Sequence, residues 1–270
     1  MQTSQGRATS WLFFVIGEHH FGLEAPLVRE LVALSEGSTH RTGLSPAGLR
    51  GVCSVRGALY TLIDGRHLIG LSSAESELAT TVSAFTRGRE AHRAWLAALE
   101  HSARTGEQFT LPRDPHTCAF GRWYDDFRTD DAVLGVKMIR FDAPHQRIHA
   151  LADEVCGLVK QGQRDAGLRL IEEARGNDLA RLLALFDETM PLIAAAQKEV
   201  AILFEGSARR GIIVDDVLGV VTVLPADIQS LDGTELPGRI GDVAVGIVPG
   251  DASTVFLLDH ERTLHCAGMA

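Results

Sequence analysis

Short apolar runs, broken every few positions by glycine and charged residues, occupy both ends of the chain, and a long stretch with helical spacing lies between them. At the amino end the pattern predicts strands at Trp11 to Ile16, at His20 to Leu23 after a turn at Gly17 and Glu18, and at Val28 to Val32. A polar loop with Pro46 and Gly48 leads to a second block, Leu49 to Asp64, in which Gly57 is well placed for a hairpin turn. Gly65 to Leu71 reads as a short helical exit. From about Ser73 to Gln197 glycine thins and the apolar period moves to threes and fours. Leu168, Ile171, Leu179, Leu182, Phe186, Met190 and Ile193 mark one apolar stripe, which predicts the core face of a long helix. Four main helices are expected, roughly 74–104, 115–128, 141–161 and 163–197, packed as a bundle. Asp142, Ala143 and Pro144 form a start signal, with Asp able to cap and Pro tolerated in the first turn. Gly162 and Gly176 suggest breaks or kinks.

The strand texture returns at Glu199. Val200 to Phe204 is followed by a turn at Gly206, then Arg210 to Asp215 and Val217 to Val223. A loop through Pro225, Asp232, Gly233 and Pro237 precedes two last runs, Val243 to Val248 and Thr254 to Asp259. A helical region thus interrupts an all-β region. Antiparallel first and last helices would return the chain to where it left, so insertion at an exposed loop is sterically cheap.

At 270 residues with 45% apolar content, the chain is long enough for two packed cores. A net charge of -9 with scattered Lys and Arg argues against a nucleic-acid or acidic-membrane surface. No apolar run approaches a membrane helix and residues 1–10 lack a signal-peptide core, so a cytoplasmic protein with no direct membrane insertion is expected. The four cysteines, Cys53, Cys118, Cys156 and Cys266, are too dispersed for a disulfide framework, and most are expected to be small buried hydrophobes.

Three pieces of the helical region carry metal-ligand chemistry: Ala91-His92-Arg93-Ala94-Trp95, Cys118-Ala119-Phe120-Gly121-Arg122-Trp123, and His145-Gln146-Arg147-Ile148-His149. Three imidazoles and one thiolate are the ligand set of a closed tetrahedral zinc site, and His145 and His149 share a helical face. On spacing alone His101 and His116 are rival ligands. Gly121 would permit close backbone approach, while Phe120 and Trp123 would anchor the turn and Trp95 would point inward beside His92. A filled site leaves no position for a hydrolytic water, and Gln146 stands where a His-Glu-x-x-His metalloprotease has its general base. No phosphate loop, nucleophile elbow or kinase signature is present.

Gly51-Val52-Cys53-Ser54-Val55-Arg56-Gly57 with Leu62-Ile63-Asp64, Gly211 to Val220, and Val245 through Asp259 resemble the successive signatures of CheW-like domains, the adaptors of bacterial chemotaxis. The helical region is similar to the chemoreceptor zinc-binding (CZB) domain, whose pattern of His, Cys-x-apolar-Gly-x-aromatic and His-x-x-x-His is met by His92, Cys118, Phe120, Gly121, Trp123, His145 and His149 at intervals of 26 and 27 residues. That pattern selects these ligands over His101 and His116.

The resemblance implies an α+β chain: a CheW-like double SH3-like β-barrel in two parts, 10–72 and 199–265, interrupted by an inserted four-helix CZB zinc-binding bundle at 73–198. It implies a non-enzymatic adaptor that binds chemoreceptor (methyl-accepting) proteins and a CheA-type histidine kinase, with Zn2+ as cofactor, a redox switch at Cys118 responsive to hypochlorous acid, and a homodimer through the bundle. Arg56 and Gly57 fall in the region the family uses for partner contact, but Ser54, Thr61 and Gly65 replace its usual Asn, Pro and Leu, so the partner surface departs from the ordinary one. Two alternatives stand beside this reading: the same adaptor with purely structural zinc, and a zinc hydrolase, disfavoured for the reasons above.

Overall fold

The computed structural model describes residues 7–35, 37–40, 48–231, 236, 239–250 and 253–268. Pro46, Asp232, Gly233 and Pro237, all expected in loops, lie outside that set. The chain divides into two compact units, one formed by 1–74 with 197–270 and the other by 75–196.

Among the described residues, the first unit contains two five-stranded sheets. One holds β1 (Thr9–Ile16), β2 (His19–Glu24), β8 (Asp216–Val223), β9 (Ala244–Val248) and β10 (Val255–Leu258) in the order β8-β1-β2-β10-β9. The other holds β3 (Val28–Leu34), β4 (Leu49–Val55), β5 (Ala58–Asp64), β6 (Glu199–Phe204) and β7 (Arg210–Val214) in the order β3-β6-β7-β5-β4. Each sheet therefore takes strands from both sides of the helical segment: β1 runs antiparallel to β8, and β5 runs parallel to β7. The pairing explains why neither β segment reads as a complete domain by itself. Alternation supplies the core, with Phe14, Ile16, Phe21, Leu23, Ile63, Ile202, Phe204, Ile212 and Val214 in one cluster and Cys53, Tyr60, Leu62, Leu203 and Ile213 in another.

The β4–β5 hairpin turns at Arg56 and Gly57, whose φ values of 51° and 78° are those of a two-residue primed turn. Gly57 takes this conformation freely, whereas Arg56 does so at some steric cost. Within the second sheet Arg50 is 6% exposed and reaches Asp64 and Glu199, each at 3.2 Å. The exit after β5 is shorter than expected, a single helical turn α1 (Gly65–Leu68) capped by the Asp64 carboxylate. Val243 ends another single turn, α8 (Ile240–Val243), instead of starting a strand, and the chain closes with α9 (His260–Cys266) capped by Asp259.

The second unit contains helices and irregular connections but no described strand: α2 (Ala74–Thr105), α3 (Ala119–Asp126), α4 (Ala132–Ile139), α5 (Asp142–Lys160), α6 (Arg164–Ala174) and α7 (Ala180–Ala196). The α4 helix had not been expected; Asp131 caps it, accepting from Leu134 N at 2.9 Å. Asp142 does not cap α5, because Phe141 already has helical backbone angles and Asp142 lies in the first turn. Gly162, at φ 79°, breaks the chain between α5 and α6, while Gly176 lies in a π-helical turn, Arg175–Leu179, that joins α6 to α7 without ending the helix. The apolar stripe faces inward, with Ile171, Leu179, Leu182, Phe186 and Ile193 buried. No described helix is long and apolar enough to cross a membrane.

Candidate metal centre

Three helices bring the chemistry together. His92 comes from the middle of α2, Cys118 from the residue that caps α3, and His145 and His149 from successive turns of α5. One ligand atom from each of the four lies within 4.8 Å of the others, and all four residues are buried, His149 completely. Cys118 Sγ is 3.4 Å from His145 Nε2. The imidazole centroids stand 4.9 Å apart for His92 and His145, 4.9 Å for His145 and His149, and 5.6 Å for His92 and His149.

The hydrogen bonds around the rings decide which nitrogens face inward. His92 Nδ1 is 2.6 Å from the Gly88 carbonyl one turn earlier in α2, and His149 Nδ1 is 3.0 Å from the Pro112 carbonyl. A carbonyl only accepts, so both Nδ1 atoms carry the proton and both Nε2 atoms present a lone pair. Those Nε2 atoms are buried and have no hydrogen-bond partner. Such orphaned acceptors are costly unless something is bound there, and outward Nδ1–H donors are the usual support of histidines that ligate through Nε2. Two neutral imidazole acceptors pointing at a third histidine and a thiol within 4.8 Å fit a tetrahedral cation of the zinc type.

Electrostatics agree with that reading. Burial holds the His92 imidazolium down to about 4 and that of His145 to about 3, with neighbouring imidazoles adding to the effect, and burial also lowers His149. All three are therefore neutral near pH 7, the state that ligates. Burial pushes the Cys118 thiol up, opposed by the backbone N–H groups of Gly121 and Phe120, which favour the thiolate. Gly121 N donates to Cys118 Sγ at 3.1 Å.

The supporting residues have distinct roles. A Cβ on Gly121 would lie 1.8 Å from the Pro115 carbonyl oxygen, so only glycine lets the start of α3 pack against the preceding turn. Phe120 sits with its centroid 5.8 Å from His92, 5.5 Å from His145 and 4.7 Å from Phe186, forming an apolar wall of the site. Trp123 packs on Phe85 and Phe120 and supports that wall from behind. Trp95 is buried and lies against His149, ring centroids 5.1 Å apart. Its Nε1 donates to the Pro112 carbonyl at 2.7 Å, so one carbonyl oxygen serves both Trp95 and His149.

Gly88 and Pro112 were not singled out in the sequence. Gly88 lies one helical turn before His92 and was in principle findable, whereas Pro112 contributes only a backbone carbonyl from an irregular segment and leaves no side-chain signal. His116 is at the surface, paired with Asp125 at 2.9 Å, and His101 is exposed beside Glu107. In the β unit Arg56 is at the hairpin tip, its side chain 82% exposed and paired with Glu30 at 2.8 Å. With Gly57 beside it, the tip borders a cavity of about 310 Å³ lined by Arg29, Glu30, Val55, Ala58 and Tyr60. Of the remaining cysteines only Cys53 is a buried core residue, while Cys156 and Cys266 are partly exposed and none of the four forms a disulfide.

Comparison with known proteins places two family matches on this architecture. Residues 10–92 match the family model of the CheW-like domain, and residues 92–156 match that of the chemoreceptor zinc-binding domain, a span that contains all four clustered residues. No curated protein matches. Among solved structures, the scaffolding protein TtCheW from Thermoanaerobacter tengcongensis is similar at 11% identity and a TM-score of 0.42, over 94% of this chain and 90% of that one.

Proposed function

We propose that this chain, a CheW-like region carrying a chemoreceptor zinc-binding region, is a cytoplasmic chemotaxis adaptor whose helical insert senses zinc or an oxidant and biases the coupling of receptors to a histidine kinase. The observation that carries the zinc half is the pair of buried, partnerless Nε2 atoms on His92 and His149, each fixed in tautomer by an outward Nδ1–H, converging with His145 and Cys118. Bound there, zinc would hold Cys118 as a thiolate and cross-link α2, α3 and α5. In the ligand assignment we propose, His92, His145 and His149 supply Nε2 and Cys118 supplies Sγ.

The sensing half rests on the chemistry of Cys118. Hypochlorous acid converts a thiolate into a sulfenic acid and chloride, the oxygen and hydrogen passing to sulfur and the sulfur electron pair reducing the chlorine. The oxidised sulfur is a weaker ligand, and the start of α3, held by Gly121 N on Sγ, loses its anchor with it. Output through the β unit rests on the family match and on the exposed hairpin tip at Arg56 and Gly57. Receptors of the methyl-accepting class and a CheA-type kinase are the partners in this reading, with a homodimer formed through the bundle.

Substituting Cys118→Ser tests the switch. Loss of zinc affinity together with loss of the oxidant response supports it; a variant that keeps both sinks it. The complete burial of His149 favours a second reading, in which zinc is a permanent staple. Chelator titration separates the two: a staple leaves only with unfolding of the insert, a sensor exchanges while the insert stays folded.

A further inference from the structure

The α4 helix reads Ala-Val-Leu-Gly-Val-Lys-Met-Ile, with Lys137 as its one charged residue. A helix that is apolar on all sides belongs to a buried setting. Only one side of this one is covered within the chain. Leu134 and Met138 pack into the bundle core, 3% and 5% exposed, whereas Val133, Val136 and Ile139 are 65%, 67% and 66% exposed. Among the described residues no large apolar side chain is more exposed than these three. Spaced by threes, they form one stripe along the outer face of the helix.

The stripe carries opposite charge at its two ends. Asp130, three residues before Val133, is exposed at the start and Arg140 is exposed at the finish, and neither is in a salt bridge with a described residue. Arg140 borders a cleft of about 530 Å³ together with Ile139, Arg147 and Arg181. The neighbouring charges are engaged: Lys137 pairs with Glu188, Arg147 with Asp178, and the Asp142 carboxylate in the cleft with the Tyr124 hydroxyl. Glu188 acts on Arg140 and Arg181 only at longer range. A face that is acidic at one end, basic at the other and apolar between is its own complement when turned end for end, which is the requirement of a two-fold contact.

We propose that the outer face of α4 is the docking surface for a second copy of this chain, the two α4 helices packing antiparallel about a two-fold axis near Val136. Val133 of each copy then meets Ile139 of the other, and Asp130 of each reaches the Arg140 end of the other. A uniformly anionic partner, whether peptide or lipid, would satisfy Arg140 but bring like charge to Asp130. Three apolar side chains per copy with a charged rim lie at the small end of the interface range, so the pairing is reversible and concentration-dependent. The proposal rests on the homodimer of the adaptor reading and adds to it the surface and the pairing geometry.

Sedimentation velocity of the full chain over about 1–200 μM, the range of weak contacts, tests this. The wild type is expected to form a concentration-dependent dimer, and Val136→Glu, which sets two carboxylates at the axis, to weaken it at least ~10-fold while the circular dichroism stays unchanged. Asp130→Arg and Arg140→Glu are each expected to weaken the dimer alone, and an equimolar mixture of the two variants to regain it, because both ends of the mixed pair then join opposite charges. A dimer that Val136→Glu leaves intact overturns the surface while the homodimer stands, and a wild type that is monomeric throughout overturns both. A mixture that stays monomeric overturns the antiparallel pairing. Zinc binding and oxidant response are read separately, so none of these results bears on the sensing half of the adaptor reading.

Discussion

Gly121 and Pro115 are in backbone contact so close that a Cβ on the former would lie 1.8 Å from the carbonyl oxygen of the latter. The obstacle is backbone, not a side chain that could swing away, so Gly121→Ala must move the turn that presents Cys118. We expect it to destabilise the helical unit by at least about 2 kcal/mol and to weaken metal binding together with it. Urea unfolding checks this; a change below about 0.5 kcal/mol, the size of an ordinary surface substitution, refutes it.

Sharing of the Pro112 carbonyl by Trp95 and His149 makes a separate claim. Trp95→Phe keeps the ring against His149 but removes one of the two donors. Metal affinity is expected to fall about 10-fold, as for other losses of support to a ligating histidine, with a modest cost of about 1 kcal/mol in stability. His116→Ala, which removes only a surface pair with Asp125, serves as the control and should leave affinity unchanged. Chelator competition measures both.

The three histidines also set a pH dependence for the metal-free protein. Their folded values lie below the unfolded value of about 6.5, with His92 at about 4 and His145 at about 3, so the unfolded chain binds protons first on acidification. Stability is full above the unfolded value and is lost as pH falls from there toward the folded values, with a slope of at most about 1.4 kcal/mol per pH unit for each histidine. Denaturant titrations of chelator-treated protein at pH 7.5 and pH 5 should show the fall, and a flat or rising profile would contradict it.

In the β unit, Arg50 joins Asp64 at the end of β5 to Glu199 at the start of β6. Removing the guanidinium leaves two carboxylates close together, Asp64 being 8% exposed, so Arg50→Ala is expected to cost about 3–5 kcal/mol. A loss under about 1 kcal/mol would show that water or another cation replaces it.

In the proposed adaptor reading, reversing the exposed charge at the hairpin tip with Arg56→Glu is expected to abolish capture of receptor or kinase, with only the small loss of stability that an exposed pair with Glu30 carries. Capture equal to wild type would refute the proposed partner surface at the hairpin tip.

Much of this molecule is written locally in the chain. Alternating apolar runs determined the strands and a three-to-four stripe from Leu168 to Ile193 determined the core face of α6 and α7, because each is a property of neighbours in sequence, while the resemblance of the His92, Cys118, His145 and His149 pattern to the CZB signature picked out the clustered residues. The sequence could not say that β5 pairs parallel with β7 across the helical segment, or that Arg50 is buried between Asp64 and Glu199, since such contacts depend on where distant strands meet. Nor could it assign the tautomers of His92 and His149. Those follow from the carbonyls of Gly88 and Pro112, and a backbone carbonyl is the same group in every residue, so only folding decides which one a histidine meets.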